Sequence, residues 1–240
     1  MVGGLTTARL GLPNIELARQ QHTQYIQALQ TCGLQVRVLK PDESFPDSTF
    51  VEDVALLTPH CAILTNPGAP SRQGETGSIL PVLEAYYTNI EIVQPPGTVE
   101  AGDIMMVGSH YYIGLSARTN LAGARQVIGF LQKYGLSGSH VKLKKVLHLK
   151  TGVAYLEHNN LVACGEFLNN PVFQQFNIIP IEPDESYAAN CVWINDRVLT
   201  PAGYPKARQA IENAGYTTIQ VDVSEFRKLD GGLSCLSLRF

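Results

Sequence analysis

The spacing of apolar and polar positions switches several times along the chain. Residues 14–33 carry Ile15, Ala18, Ile26 and Leu29 on or near one helical face, with Asn14 as a cap and Gly33 as a stop. An apolar run at 34–39 then predicts a strand. From residue 51 the pattern becomes a cycle. Residues 51–57 and 61–64 predict a hairpin around Pro59-His60, followed by a helix near 76–87 and a strand at 90–93. The order recurs with strands at 104–107 and 111–114, a helix at 121–134 and an extended run at 141–143. It recurs again from residue 153, with a hairpin turning at 158–160, a short helix and a strand at 178–181. The fourth cycle places strands at 191–194 and 198–199, a helix at 205–214 and a strand at 217–221.

A hairpin–helix–strand unit therefore repeats four times at roughly 40–50 residues, a spacing typical of repeat architectures. The helix and strand at 14–39 lack a hairpin, and a last strand expected at 234–240 lacks a helix. Joining the two ends predicts a fifth unit and a closed ring without exposed sheet edges. An open α/β sheet is the alternative. No linker interrupts residues 1–240, so a single domain is expected.

Composition narrows the partners. The 240 residues are 45% hydrophobic and carry a formal charge of -3, which leaves no basic excess for nucleic acid. No apolar run approaches a membrane span, and residues 1–10 lack the pattern of a secretory signal. Five scattered cysteines without a C-x-x-C match neither a disulfide framework nor a zinc site, and fit a reducing cytoplasm.

Chemistry-bearing residues fall at one place in the repeat, just ahead of a hairpin. Asp47, Glu52 and Asp53 lie at the loop-to-strand junction that opens the first; with Glu52 and Asp53 in a strand, they would point to opposite faces. Such a cluster is either a solvated turn or a seat for a cation, and a guanidinium fits paired carboxylates. Glu100, Gly102 and Asp103 precede the second hairpin and His148 the third. Cys235 follows Gly231-Gly232 at the start of the expected closing strand, whereas the other four cysteines fall within helices or strands. Arg72 and Arg118 each follow a hairpin and precede a helix; each is either a surface charge or half of a carboxylate clamp. No metal-ligand spacing appears, and no metal or other cofactor is expected.

Taken together, PDSTFVED (46–53), NPGAPSR (66–72), GTVEAGD (97–103), GLSARTN (114–120), LHLKTG (147–152), YAANC (187–191) and LDGGLSCLSLRF (229–240) resemble the dimethylarginine dimethylaminohydrolase family, within the guanidino-modifying pentein superfamily. The resemblance runs over essentially the whole chain. It implies a five-bladed α/β propeller of ββαβ units with pseudo-fivefold symmetry. It also implies hydrolysis of dimethylated and monomethylated arginine to citrulline and an amine, through a covalent thiouronium. By resemblance Cys235 is the nucleophile, His148 the general acid/base and Glu100 its orienting carboxylate. Asp47, Glu52 and Asp53 would hold the guanidinium, Arg72 and Arg118 the α-carboxylate, and the backbones of Leu5 and Leu229 the α-amine. A homodimer is also implied. The family's usual first strand, ahead of the GLTT segment at 4–7, is expected to be missing, and residues 3–10 are a candidate flap. The rival readings are an arginine deiminase or other guanidine hydrolase, and a non-catalytic binding protein of the same fold.

Overall fold

The computed structural model describes residues 1–240, which divide into two compact units. One comprises Met1–Pro41 and Thr151–Ser234, the other Asp42–Lys150 and Cys235–Phe240. No helix is long and apolar enough to cross a membrane.

The unit containing residues 42–150 holds two three-stranded sheets. The first sheet runs β1 (Ala55–Leu57), β2 (Ala62–Leu64) and β3 (Ile90–Ile92), and the second β4 (Ile104–Val107), β5 (His110–Leu115) and β6 (Ser137–Lys142). In both, the first pair is antiparallel and the second parallel. A parallel neighbour requires a crossover, supplied by α2 (Glu75–Leu83) and α3 (Leu121–Lys133). Helix α3 starts where the Asn120 side chain accepts a hydrogen bond from the Gly123 amide, and it buries Ala124, Val127 and Leu131. These side chains pack with Ile63, Tyr111 and Ile113, so one apolar cluster ties α3 to the strands.

The other unit repeats the arrangement. Its sheets are β7 (Val153–Tyr155), β8 (Asn160–Ala163), β9 (Asn177–Pro180) and β10 (Val192–Ile194), β11 (Arg197–Pro201), β12 (Thr217–Val221). Helix α4 (Pro205–Asn213) crosses over in the second sheet, and short 3-10 turns do so in the first. Helix α1 (Ile15–Thr31) precedes them, capped by Asn14 as the sequence predicts.

Four expectations need correction. Residues 34–39 form no strand: they have no ladder partner, and Val38 is 59% exposed. Residues 234–240 likewise form no strand, so four sheets are present and a fifth is not. Ser234–Leu236 is a 3-10 turn, and the residues after it are held by side chains, Leu238 against the Ile79 cluster and Phe240 edge-on to Tyr86 at 5.2 Å. Residues 51–54 coil into a 3-10 turn rather than extending. Strand β6 also starts four residues earlier than its apolar run, because the His110 ring bonds Ser137 at 2.9 Å and Ser139 at 2.8 Å and secures a polar segment to the sheet.

Two glycines of α3 should respond oppositely to alanine. A Cβ at Gly123 would stand 2.2 Å from the Thr98 carbonyl oxygen, whereas one at Gly129 meets nothing within 4 Å. Thermal unfolding should show Gly123→Ala destabilised. Gly129→Ala should gain up to about 1 kcal/mol from helix propensity.

Candidate active site

The site begins with local backbone. Short 3-10 turns, Val51–Val54, Ala101–Asp103 and Leu149–Thr151, stand immediately before β1, β4 and β7. Glu52 and Asp53 therefore diverge because they are successive residues of a tight turn, not because they alternate along a strand. Glu52 turns to Lys150, whose Nζ donates at 2.6 Å, with Arg239 at 3.5 Å. Asp53 turns to Arg72 and Gly102.

His148 is buried with its ring held between carboxylates. Its Nε2 lies 2.9 Å from Glu100 Oε2, and Glu100 Oε1 accepts from the Ala69 amide at 3.0 Å. Asp53 Oδ1 accepts from the Gly102 amide at 3.0 Å. A Cβ on Gly102 would stand 2.7 Å from that oxygen and 2.9 Å from His148 Nδ1, so this close approach requires glycine. Donor atoms of Asp53, Glu100 and His148 lie within 4.8 Å of one another, a grouping that could hold a metal ion. The same atoms are already bonded to one another's neighbours: Glu100 to His148, Asp53 to Arg72.

The charges explain the protonation states. Burial alone would lower the His148 pKa, but the Asp53 charge, the Glu100 hydrogen bond and the Asp103 charge outweigh it and raise it from 6.5 to about 9. Burial pushes Asp53 upward, yet His148 and Arg72 hold it below the usual carboxylate range. Asp103 is 0% exposed, and burial raises its pKa despite hydrogen bonds from Ser116 at 2.6 Å and the Leu149 amide at 3.0 Å.

Arg72 is buried and spends most of its donors inside the protein. It bonds Asp53 Oδ2 at 2.5 Å, both oxygens of Glu75, and the carbonyls of Asp47 and Phe50. Those carboxylates outweigh its desolvation and keep it charged, while burial raises the pKa of Glu75. Arg118 is half-buried, its guanidinium 3.9 Å from Glu100. Asp47 is buried. Leu5 and Leu229 belong to the other unit, the first exposed and the second buried.

None of the five cysteines is in a disulfide. Burial raises the thiol pKa of Cys32, Cys61, Cys164 and Cys191, the last to about 12. Cys235 alone is half-exposed, in the Ser234–Leu236 turn. The structure thus brings Asp53, Glu100, His148 and Arg72 into one network, joins to it Asp103, which the sequence placed beside Glu100 ahead of the second hairpin, and adds Glu75, which sequence reasoning did not select. Asp103 was visible in GTVEAGD as an acid one turn from Glu100, and Glu75 as an acid three residues after Arg72.

Comparison with known proteins places this geometry. The N-terminal domain of ArgZ, described as an arginine dihydrolase from the ornithine-ammonia cycle in cyanobacteria, superposes with a TM-score of 0.89 at 20% identity, over 98% of this chain and 91% of that one. The chain thus shares the α/β fold of that domain. The dimethylarginine dimethylaminohydrolase of Pseudomonas aeruginosa is 61% identical over 241 residues, spanning 100% of this chain and 95% of that protein. A crystal structure of a cysteine-to-serine mutant of the Pseudomonas aeruginosa enzyme, complexed with citrulline, has a TM-score of 0.98 at 60% identity, over 100% of this chain and 94% of that one. The Streptomyces coelicolor enzyme of the same name is 33% identical over 93% of this chain and 86% of its own. A family model described as N,N dimethylarginine dimethylhydrolase, eukaryotic, matches residues 11–237. The chain belongs to the dimethylarginine dimethylaminohydrolase family.

The raised His148 pKa has a thermodynamic consequence. Because the folded value of about 9 exceeds the unfolded 6.5, the native state holds the proton more tightly. The stability this supplies is complete below pH 6.5 and lost as pH rises through 9. An NMR titration of the imidazole should give a midpoint near 9, and Asp53→Asn should move it toward 6.5. A wild-type midpoint at 6.5 would mean the carboxylates do not govern the ring.

Proposed function

We propose that the chain hydrolyses asymmetric dimethylarginine, and monomethylarginine, to citrulline and dimethylamine or methylamine, with Cys235 as nucleophile and His148 as general acid and then base. The observation that carries this reading is the buried His148 imidazole bonded through Nε2 to Glu100 at 2.9 Å, in a protein whose half-exposed thiol is Cys235. The solved relatives support it: one holds citrulline in a cysteine-to-serine mutant, and another is a histidine-to-glycine adduct with S-methyl-L-thiocitrulline.

The Cys235 thiolate attacks the central guanidinium carbon, which neutralises the substrate's charge. His148 transfers its proton to the dimethylated nitrogen, the C–N bond breaks and dimethylamine leaves. A cationic thiouronium remains on Cys235. Neutral His148 then takes a proton from water as the oxygen attacks the same carbon. The C–S bond breaks, the thiolate departs, a second proton goes to the sulfur or to solvent, and citrulline is released.

The remaining residues hold and align. Glu100 orients the His148 ring and stabilises its imidazolium. Asp53, ionised and fixed by Arg72 and the Gly102 amide, faces the cationic substrate together with Asp47 and Glu52. Arg118 takes the α-carboxylate. Arg72 retains one N–H hydrogen beyond those given to Asp53, Glu75 and the two carbonyls, so it contributes to that grip mainly by fixing the acids.

Purified protein given asymmetric dimethylarginine should release citrulline and dimethylamine in equal amounts, and Cys235→Ser should lower the rate by several orders of magnitude. Turnover of unmethylated arginine alone would move the assignment to a deiminase. Retained activity in Cys235→Ser would remove Cys235 from the nucleophile role. His148→Gln should lose about 10²–10⁴-fold in kcat. Arg118→Ala should instead act chiefly on KM, since it removes a contact that ground and transition states share.

A further inference from the structure

We infer that Asn190 is a positioning residue for Cys235, acting through a side-chain clamp on Ser234. The inference rests on the proposed role of Cys235 and assigns what fixes its place. Asn190 is 7% exposed and Ser234 3%. The Asn190 carboxamide uses both of its faces on this one neighbour. Its Oδ1 accepts from the Ser234 amide at 3.0 Å, and its Nδ2 donates to Ser234 Oγ at 3.0 Å. The residue before the nucleophile is therefore held in backbone and side chain by one buried group, in surroundings where breaking those bonds leaves buried polar atoms less well compensated for desolvation.

The preceding residues are held in the same manner. Tyr187 Oη donates to the Gly231 carbonyl at 2.7 Å, and Tyr25 Oη donates to the Leu233 carbonyl at 2.9 Å. Gly232 lies flush against the clamp. A Cβ there would stand 2.5 Å from Asn190 Oδ1 and 2.6 Å from its Cγ. Gly232 is not among the glycines with positive φ, so its lack of a side chain answers to the nearness of Asn190, not to backbone conformation. Asn190 itself ends the 3-10 turn Pro183–Ala189, where its amide donates to the Tyr187 carbonyl at 3.3 Å. One short turn thus supplies both Tyr187 and Asn190 to the segment that presents Cys235.

A purely structural Asn190 would change how much protein folds. A positioning Asn190 changes what the folded protein does. Proximity effects are steep, and a displacement of about 1 Å can cost about a hundredfold. The test compares Asn190→Ala, Gly232→Ala and the double variant in steady-state turnover of asymmetric dimethylarginine, with circular dichroism confirming the folded fraction. Asn190→Ala should lower kcat by about 10- to 100-fold with KM changed less than about twofold. Gly232→Ala should lower kcat similarly, by pushing the carboxamide off Ser234. The double variant should be no worse than Asn190→Ala alone, because the group that the new methyl displaces is already gone.

Wild-type kcat in folded Asn190→Ala would overturn the inference, as would losses in the double variant that simply multiply. If Asn190→Ala does not fold, Ser234→Ala decides. It removes only the Oγ contact and should lower kcat several-fold at unchanged KM; no change would overturn the clamp. Cys235→Ser separates the two levels. Activity retained in that variant defeats the nucleophile assignment, whereas an inactive Cys235→Ser beside a fully active Asn190→Ala defeats the positioning role alone.

Discussion

A buried imidazole set among buried carboxylates is the constraint to which the unit formed by residues 42–150 and 235–240 answers. Charges taken out of water are costly, and each must find a partner of opposite sign or a hydrogen-bond donor. Asp53 finds Arg72 and the Gly102 amide, Glu100 finds His148 and the Ala69 amide, and Asp103 finds Ser116 and the Leu149 amide. Arg72 in turn needs Glu75. Removing any one member leaves an uncompensated charge on another, so the network is cooperative in its failure as well as in its assembly. The same arrangement raises the His148 pKa above its ordinary value, in keeping with the acid role proposed for it.

The fold delivers these groups because each repeat ends its approach to a hairpin with a 3-10 turn. A 3-10 turn packs consecutive side chains into a small arc, so acids adjacent in sequence reach different partners. Periodicity revealed the repeat well: the helices at 15–31, 121–133 and 205–213 and most strands stand within a few residues of where the apolar pattern placed them. It did not reveal the turns, because VEDV and AGD read equally as strand ends. Nor could it show that 34–39 and 234–240 would lack ladders. A strand exists only with a neighbour, and apolar alternation says nothing about whether one is there.

Legibility of the site followed a similar division. His148, Glu100 and Cys235 stood out because they occupy one phase of the repeat. Arg72 was ambiguous in sequence, a surface charge or a clamp, and in the structure it is neither exposed nor largely available. Glu75 and Asn190 escaped selection because each acts on another protein group, Glu75 on Arg72 and Asn190 on Ser234, rather than standing at the shared place in the repeat. Ser234 and Asn190, 44 residues apart, meet only after folding.

The most direct test of the whole account is to catch the covalent intermediate. Protein acid-quenched during turnover of asymmetric dimethylarginine and digested for mass spectrometry should show the thiouronium adduct on the peptide containing Cys235, with dimethylamine already released. Citrulline production with no adduct on that peptide, or with the adduct on Cys32, Cys61, Cys164 or Cys191, would contradict it.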